Sequence, residues 1–191
     1  MKVLYIKLLA GIKCKKKVNK KHDRKGRTYS IWLMPDGKCA SSVSKIINDI
    51  SKKYNTPIFK PHVTLIGDCE KEKCDKLYFI FKRKKIIQPI KIILKDFGYK
   101  DSFFQCLYTK VIKNYQLFKT RNFLIKKLKV NSKKIYEPHM SIIYSNLKIS
   151  EKKKIIKKLG VFRDNFIADK LFLAKNDYNN LNWKVIKEIK I

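Results

Sequence analysis

Two stretches of the sequence match: Lys60-Pro61-His62-Val63-Thr64-Leu65-Ile66-Gly67 and Glu137-Pro138-His139-Met140-Ser141-Ile142-Ile143-Tyr144. Both read proline, histidine, an apolar residue, a hydroxyl residue and another apolar residue, and both have the composition of a β-strand. Because successive side chains of a strand point to opposite faces of a sheet, His62 should share a face with Thr64, and His139 with Ser141. The repeat therefore predicts two strands, each with a polar working face and an apolar face that packs in the core.

The sequence around these strands alternates between strand-like and helix-like patterns. We expect an α+β domain in which two sheet-and-helix lobes each contribute one histidine strand. The segment 70–81 suits a helix, although a strand at residues 78–80 fits equally well. Further strands are predicted over 28–35, 88–99, 103–109, 166–173 and 183–191, and further helices from Ser41 or Ser42 to Tyr54, after Asn114 to Leu128, and from Ser150 to Leu159.

The size and charge of the chain set limits on its function. With 191 residues and 45% apolar content it can form one sizeable domain or two packed lobes. The formal charge of +32, from 47 Lys and Arg against 15 Asp and Glu, suits a nucleic acid or an anionic surface as partner. The excess is mostly lysine and accompanies abundant Ile and Asn, so an AT-rich coding bias explains it equally well. Charge alone therefore supports a phosphate ligand without identifying it.

The N-terminal residues have a different character from the rest. Residues 13–27 are rich in lysine and poor in apolar residues, so we expect residues 1–27 to form a disordered basic arm ahead of a domain over 28–191. The apolar run at residues 3–12 is short and is interrupted by Lys7. It would make a poorly formed signal peptide, and this alternative stays open. No apolar run in the sequence reaches the length of about 20 residues that a membrane-spanning helix needs.

The cysteines suggest an intracellular protein, in the cytoplasm or another reducing compartment. They are odd in number and lack the spacing of a zinc site, and no histidine pair completes a metal set. Reduced thiols are the expectation. The five are Cys14, Cys39, Cys69, Cys74 and Cys106.

The histidines carry the chemical prediction. The chain has three, and the two outside the predicted arm are those of the repeat. Imidazole titrates near neutrality, with a pKa of about 6.5, so one ring can accept a proton while the other donates one. Thr64 and Ser141 can donate hydrogen bonds to the non-bridging oxygens of a phosphate. We expect this set to hydrolyse a phosphate ester without a metal or another cofactor. In our first hypothesis, His139 activates water and His62 protonates the leaving oxygen, and the reverse assignment is also open.

Two further residues near the motifs are candidates. Lys60 lies two residues before His62, so it should face the same side and can contact a phosphate. Tyr144 lies five residues after His139, which places it on the opposite face of an ideal strand. It is therefore a core residue by spacing, and it reaches the site only if a bulge or the end of the strand redirects it.

The twin His-x-Thr/Ser motif resembles that of the 2H phosphoesterase superfamily, and several segments look like those of the plant and yeast type cyclic phosphodiesterase. The resemblance implies a bilobal fold with pseudo-twofold symmetry around a central cleft. It implies that His62 and His139 are catalytic, and that Thr64, Ser141 and Tyr144 bind phosphate or water. It also places Trp32, Phe104 and Gln105 near the cleft. The similar segments are residues 30–36, 103–106, 138–144 and 173–177.

This resemblance also implies a reaction. ADP-ribose 1″,2″-cyclic phosphate would be hydrolysed to ADP-ribose 1″-phosphate, and nucleoside 2′,3′-cyclic phosphates to 2′-phosphates, as steps after tRNA splicing. We expect a monomer that acts on a small substrate, away from membranes, with possible RNA contact through its basic surface. Two alternatives stay open: an RNA-end or 2′-5′ phosphodiesterase of the same superfamily, and a non-catalytic RNA-binding module whose affinity comes from its lysines.

Overall fold

The computed structural model describes residues 29–82, 87–132, 135–178 and 180–191. The predicted arm over 1–27 lies outside them. In this part of the chain, four helices pack against one antiparallel sheet of eight strands. The strands are β1 Tyr29–Leu33, β2 Val63–Cys69, β3 Ile90–Tyr99, β4 Leu107–Val111, β5 His139–Ile143, β6 Arg163–Ala168, β7 Lys170–Asp177 and β8 Asn182–Lys190. The helices are α1 Gly37–Tyr54, α2 Lys71–Lys82, α3 Tyr115–Leu128 and α4 Ile149–Leu159, and a 3₁₀ turn covers Phe103–Gln105.

The two histidine strands lie side by side at the centre of the sheet. The strand order is β6-β3-β4-β5-β2-β1-β7-β8, so β2 and β5 divide it into two halves of four strands. β2 runs antiparallel to β5, and Val63 lies opposite Met140. These residues hold the same position in the two motifs, so a local twofold axis passes between them. The predicted bilobal α+β architecture is confirmed.

The helices join the two halves. α1 follows β1 in sequence but packs on β5 and β6, whereas α3 follows β4 and packs on β2 and β3. Each crossing helix covers the apolar face of the opposite histidine strand. The apolar residues of the motifs are buried there as predicted, and each contributes about 1.5–3 kcal/mol of burial free energy. They are Val63, Leu65, Met140 and Ile142.

Local signals account well for some helix bounds and poorly for others. The side chain of Asn114 accepts a hydrogen bond from the Leu117 amide at 2.9 Å and so begins α3 as predicted. In contrast, α1 starts at Gly37, ahead of the predicted serine caps. Asp36 is its extended N-cap residue, and Gly37 turns the chain with a φ of +48°. The segment 70–81, open between helix and strand, is helical as α2.

Two strand predictions are wrong. The segment 103–109 was expected to be a strand, but its first three residues form the 3₁₀ turn and β4 begins at Leu107. The segment 166–173 belongs to two strands, β6 at one edge of the sheet and β7 beside β1. Apolar residues recur on both sides of Asp169, so hydrophobicity gives no sign of the break. The chain there crosses from one half of the sheet to the other.

No helix in the described ranges is both long and apolar enough to cross a bilayer. The cysteines at positions 39, 69, 74 and 106 are buried and free. Burial, together with the nearby Asp164 carboxylate, raises the pKa of Cys39 to about 12. Its thiol is therefore protonated at neutral pH.

Candidate active site

Both histidine rings are held through the same nitrogen. The Nδ1 atom of His62 lies 2.7 Å from the carbonyl oxygen of Lys60, and the Nδ1 atom of His139 lies 2.8 Å from that of Glu137. A carbonyl can only accept a hydrogen bond, so Nδ1 carries the hydrogen in each ring. Nε2 is then the nitrogen that can take up or release a proton. The acceptor is the residue two before the histidine in both cases, which is a structural repeat as well as a sequence repeat.

The strand register brings both motifs to one face of the sheet. Val63 lies opposite Met140, and continuing this antiparallel register places His62 across from Ser141 and Thr64 across from His139. Opposed residues share a face, with their Cα atoms about 4.5–5.5 Å apart. Two imidazoles and two hydroxyls therefore surround the junction of β2 and β5. The charge of His139 contributes to lowering the pKa of His62, as expected for neighbouring rings.

The surroundings of His62 are aromatic. Its ring stacks on Trp32 with centroids 3.7 Å apart and an angle of 13°. The Phe59 ring is nearly perpendicular to it, with centroids 6.3 Å apart. Trp32 is paired with Thr64 across β1 and β2. His62 is only 6% exposed. This burial, which the hydrogen bond to the Lys60 carbonyl opposes, lowers the pKa of His62 to about 4. His62 is therefore neutral at pH 7.

The surroundings of His139 are more polar. The Nε2 atom of Gln105 lies 3.3 Å from Nε2 of His139, and the centroids of the Tyr108 and His139 rings are 5.2 Å apart. Lys100 forms an ion pair with Glu137, whose backbone holds the histidine. Burial lowers the pKa of His139, and the hydrogen bond to the Glu137 carbonyl opposes this. The charge of Lys100 lowers the pKa further, and the carboxylate of Glu137 raises it by a smaller amount. A proton shared by the pair therefore resides more readily on His139.

The two hydroxyl residues also differ. Ser141 Oγ donates a hydrogen bond to the carbonyl oxygen of Phe104 at 3.1 Å. The hydroxyl of Thr64 has no hydrogen-bond partner among the residues that the structure describes. Ser141 also interacts with the hydroxyl of Tyr144, whose pKa burial raises. Tyr144 stacks on Phe59 at 4.0 Å. Because it follows the last residue of β5, strand alternation does not apply, and this aromatic side chain is both buried and in contact with the site.

Most of the predicted cleft residues contact the motifs. Trp32 touches His62, Gln105 touches His139, and the Phe104 carbonyl holds Ser141. Lys60 differs, because it precedes β2 and the alternation used to place its side chain does not apply there. Its carbonyl, rather than its ammonium group, contacts His62. A phosphate contact for the Lys60 side chain stays a prediction.

The sequence reasoning missed an aromatic position in the repeat. Phe59 lies three residues before His62, and Tyr136 lies three residues before His139. The Tyr136 hydroxyl donates to the carbonyl oxygen of Thr64 at 2.9 Å, and the Arg121 guanidinium lies 4.3 Å from its ring centroid. Tyr136 thus links the two histidine strands. The matched position in the two motifs was the signal that could have identified both residues.

A buried lysine was also missed. Lys152 on α4 is 1% exposed, and its Nζ donates to the carbonyl oxygen of Lys100 at 2.8 Å. The Lys100 amide in turn donates to the Gln105 carbonyl at 3.0 Å. Lys152 therefore supports the segment that carries Gln105. The signal that could have identified it is its spacing, because Lys152 lies three residues before Ile155 and seven before Leu159, on the apolar face of α4.

In the described part of the chain, no three His, Cys, Asp or Glu side chains come together as a metal-binding group would require.

This chain is similar to known proteins both in sequence, through a family model, and in fold, through solved structures. The family model described as cyclic phosphodiesterase-like protein matches residues 28–191. LigT of E. coli, solved with 3′-AMP, has a similar fold with a TM-score of 0.61 and 12% identity, covering 86% of this chain and 98% of that one. The protein TT0787 of Thermus thermophilus gives a TM-score of 0.60 and 11% identity over 85% and 97%. No curated protein sequence gives a significant match. At these identities the structural likeness shows the fold alone.

Proposed function

This chain belongs to the cyclic phosphodiesterase-like protein family, whose members are phosphoesterases, and from that premise we propose that it hydrolyses small cyclic phosphate esters. The substrates are nucleoside 2′,3′-cyclic phosphates, opened to 2′-phosphates, and ADP-ribose 1″,2″-cyclic phosphate, opened to ADP-ribose 1″-phosphate in the processing that follows tRNA splicing. One observation carries the proposal: both histidines are held through Nδ1 on one face of the sheet. That leaves two Nε2 atoms for one acid and one base.

The phosphate lies over the junction of β2 and β5 in this mechanism. Neutral His62 accepts a proton from water at Nε2 as the water oxygen attacks phosphorus. The bond from phosphorus to one ester oxygen breaks, and cationic His139 gives its Nε2 proton to that oxygen. Thr64 and Ser141 donate hydrogen bonds to the non-bridging oxygens, where negative charge increases. Each turnover consumes one water, and a second proton exchange restores the two histidines.

The electrostatics of the site favour this order of roles, which is the reverse of our first hypothesis from sequence. Burial against Trp32 lowers the pKa of His62 to about 4, so the His62 ring is more often neutral than the His139 ring. The pKa of His139 is lowered less far, since its hydrogen bond to the Glu137 carbonyl opposes the effect of burial and favours the cation. Gln105 fits both states of His139, because an amide can offer either a donor or, after rotation, an acceptor.

The reaction needs no metal in this scheme. A positioned acid and base each contribute about 10²–10⁴-fold, and a hydroxyl that stabilises the developing charge contributes about 10²–10³-fold. The histidines and hydroxyls of the two motifs together supply these effects. The four groups lie close together across two adjacent strands, which suits a single cyclic phosphate.

The direct test uses purified protein and uridine 2′,3′-cyclic phosphate in excess EDTA. We expect ring opening to continue in EDTA and to give uridine 2′-phosphate, which ³¹P NMR distinguishes from the 3′ isomer. The double variant His62→Ala/His139→Ala should be inactive while keeping the circular dichroism spectrum of the wild type. Hydrolysis by the folded double variant would overturn the mechanism, and loss of wild-type activity in EDTA would overturn its independence from metals.

A further inference from the structure

Strand β2 contains a β-bulge directly after Thr64. Trp32 lies opposite Thr64 across β1 and β2, but the preceding residue of β1, Ile31, lies opposite Ile66. Leu65 is therefore an extra residue in the pairing with β1. A bulge bends its strand and changes the direction of the side chains beside it, and bulges are frequent next to active sites.

Strand β5 has a bulge at the matching position. Tyr108 lies opposite Ser141 across β4 and β5. The preceding residue of β4, Leu107, lies opposite Ile143, so Ile142 is the extra residue. In both copies of the motif the bulge thus comes directly after the hydroxyl residue. The direction of each hydroxyl therefore depends on how its bulge is held.

Two side chains from the other half of the sheet hold the bulge of β2. The hydroxyl of Tyr136 donates to the carbonyl oxygen of Thr64 at 2.9 Å, and Nε of Arg121 donates to that of Leu65 at 3.2 Å. These carbonyls are consecutive in β2, where the bulge interrupts the regular ladder of hydrogen bonds. Arg121 lies on α3 and Tyr136 precedes β5, so both belong to the half that contains His139. We call Arg121 and Tyr136 the β2 brace.

The two members of the β2 brace also hold each other. The Arg121 guanidinium lies 4.3 Å from the centroid of the Tyr136 ring, and its Nη2 donates to Ser132 Oγ at 2.6 Å. The Phe118 ring of α3 packs against the Tyr136 ring, with centroids 5.5 Å apart. Burial raises the pKa of Tyr136, so its hydroxyl keeps the hydrogen that it donates. The brace is therefore a fixed set of contacts between α3 and β2.

The two hydroxyl residues are oriented in different ways. Ser141 is held through its own Oγ, which donates to the Phe104 carbonyl. Phe59, which matches Tyr136 in the repeat, has no hydroxyl to donate. For Thr64 the contact from Tyr136 is made to the backbone carbonyl, not to the hydroxyl. Because the rotamer of a side chain depends on the backbone that carries it, fixing this carbonyl also fixes where the Thr64 hydroxyl points.

We propose that Arg121 and Tyr136 are positioning residues, which hold the bulge of β2 so that the Thr64 hydroxyl points at the phosphate. The inference rests on the proposed function, in which Thr64 donates to a non-bridging oxygen. Neither member of the β2 brace touches the substrate, and both act through Thr64. Since a displacement of about 1 Å can cost 10²-fold in rate, the loss of one contact of the brace should cost about tenfold.

A cycle of double variants tests whether Tyr136 acts through Thr64. Tyr136→Phe removes the hydroxyl and keeps the ring beside Arg121, and it should lower kcat/KM on uridine 2′,3′-cyclic phosphate about tenfold. In a Thr64→Val background it should have no further effect, because the hydroxyl that it positions is gone. In a Ser141→Ala background it should keep its effect of about tenfold. The matched control, Tyr54→Phe at the end of α1, should leave kcat/KM unchanged.

Two results of this cycle would overturn the inference. One is a loss of the same size in the Thr64→Val and Ser141→Ala backgrounds, which would show that the Tyr136 hydroxyl supports the fold in general and not Thr64 in particular. The other is an unchanged kcat/KM in the Tyr136→Phe variant.

NMR separates this inference from the proposed chemistry, because the direction of the Thr64 side chain can be measured without a substrate. Scalar couplings should show one main rotamer of Thr64 in the wild type and in Tyr54→Phe, and a mixture of rotamers in Tyr136→Phe. That result supports the β2 brace even if the wild type hydrolyses no cyclic phosphate. The same single rotamer in all three proteins would overturn the inference and leave the proposed reaction untouched.

Discussion

His62 and His139 hold matching positions in the two motifs, but their rings lie in different surroundings. His62 is buried between Trp32 and Phe59, whereas His139 is half-buried beside Gln105 and Tyr108. Both keep the same Nδ1 bond to a carbonyl two residues earlier. The motif therefore fixes which nitrogen is available, and the neighbouring side chains determine which ring carries a proton.

The supports of the two rings differ as well. In the His139 half, Lys152 donates to the Lys100 carbonyl and Lys100 pairs with Glu137. In the His62 half, the ring itself packs against aromatic residues, and Arg121 donates to the Leu65 carbonyl of β2. Two copies of one motif can thus take the opposite roles that acid and base catalysis requires, because buried aromatic and charged surroundings shift a pKa differently.

Removing either ring should have the largest effect. His62→Ala and His139→Ala each remove one partner in proton transfer, so we expect each to lower kcat on uridine 2′,3′-cyclic phosphate about 10³-fold. The double variant should be only slightly worse than either single variant, because the two rings act in one step. Steady-state kinetics at saturating substrate measures this. A single variant that keeps a tenth of wild-type kcat would remove that histidine from the catalytic pair.

Removing the hydroxyl of Thr64 should lower kcat/KM more than removing that of Ser141. Thr64 is free to donate to a phosphate, so Thr64→Val should lower kcat/KM about 10²-fold. Ser141 must first give up its bond to the Phe104 carbonyl, which offsets part of its contribution. Ser141→Ala should therefore cost about tenfold. Measuring kcat/KM for both variants checks the order, and a larger loss for Ser141→Ala would contradict it.

Exposing His62 to water should reduce the difference in pKa between the two histidines. In the free enzyme kcat/KM should fall at low pH as His62 is protonated near pH 4, and fall again above the lowered pKa of His139. The optimum then lies between pH 4 and about 6.5. Trp32→Leu admits water to His62, so its pKa should rise and the acidic limb should move to higher pH. NMR titration of the ring measures the shift. An unchanged His62 pKa in a folded Trp32→Leu protein would show that burial is not its cause.

Removing the hydrogen bond from Lys152 to the Lys100 carbonyl should have the smallest effect on activity. Lys152→Met leaves the Lys100 carbonyl without its partner, so we expect a loss of about 1–3 kcal/mol in unfolding free energy. The shift of the segment carrying Gln105 should lower kcat/KM only a few-fold. Lys154→Met, an exposed neighbour on α4, is the control and should change neither quantity. Denaturant unfolding and kinetics compare the two variants, and equal effects would exclude a specific role for Lys152.

The repeat made the centre of the fold predictable. Its alternation placed Val63 and Met140 in the core, and the structure pairs them across adjacent strands. Asn114 likewise marked the start of α3, because a cap is a local interaction. Features that depend on distant contacts were not predictable. The split of 166–173 into β6 and β7 is set by partners in opposite halves of the sheet.

The candidate site shows the same division. Pattern alone singled out His62 and His139, but it could not show that Trp32 stacks on one and Gln105 contacts the other. The 3₁₀ turn that carries Gln105 resembled a strand in sequence.

In the proposed mechanism, His62 is the base and His139 the acid of one reaction. The most direct measurement compares a cyclic nucleotide with a phosphodiester whose leaving group is 4-nitrophenolate, which departs without protonation. His139→Ala should recover most of its lost kcat on the nitrophenyl ester, whereas His62→Ala should remain about 10³-fold slower than wild type on both substrates. Recovery in His62→Ala, with none in His139→Ala, would contradict the assignment and reverse the two roles.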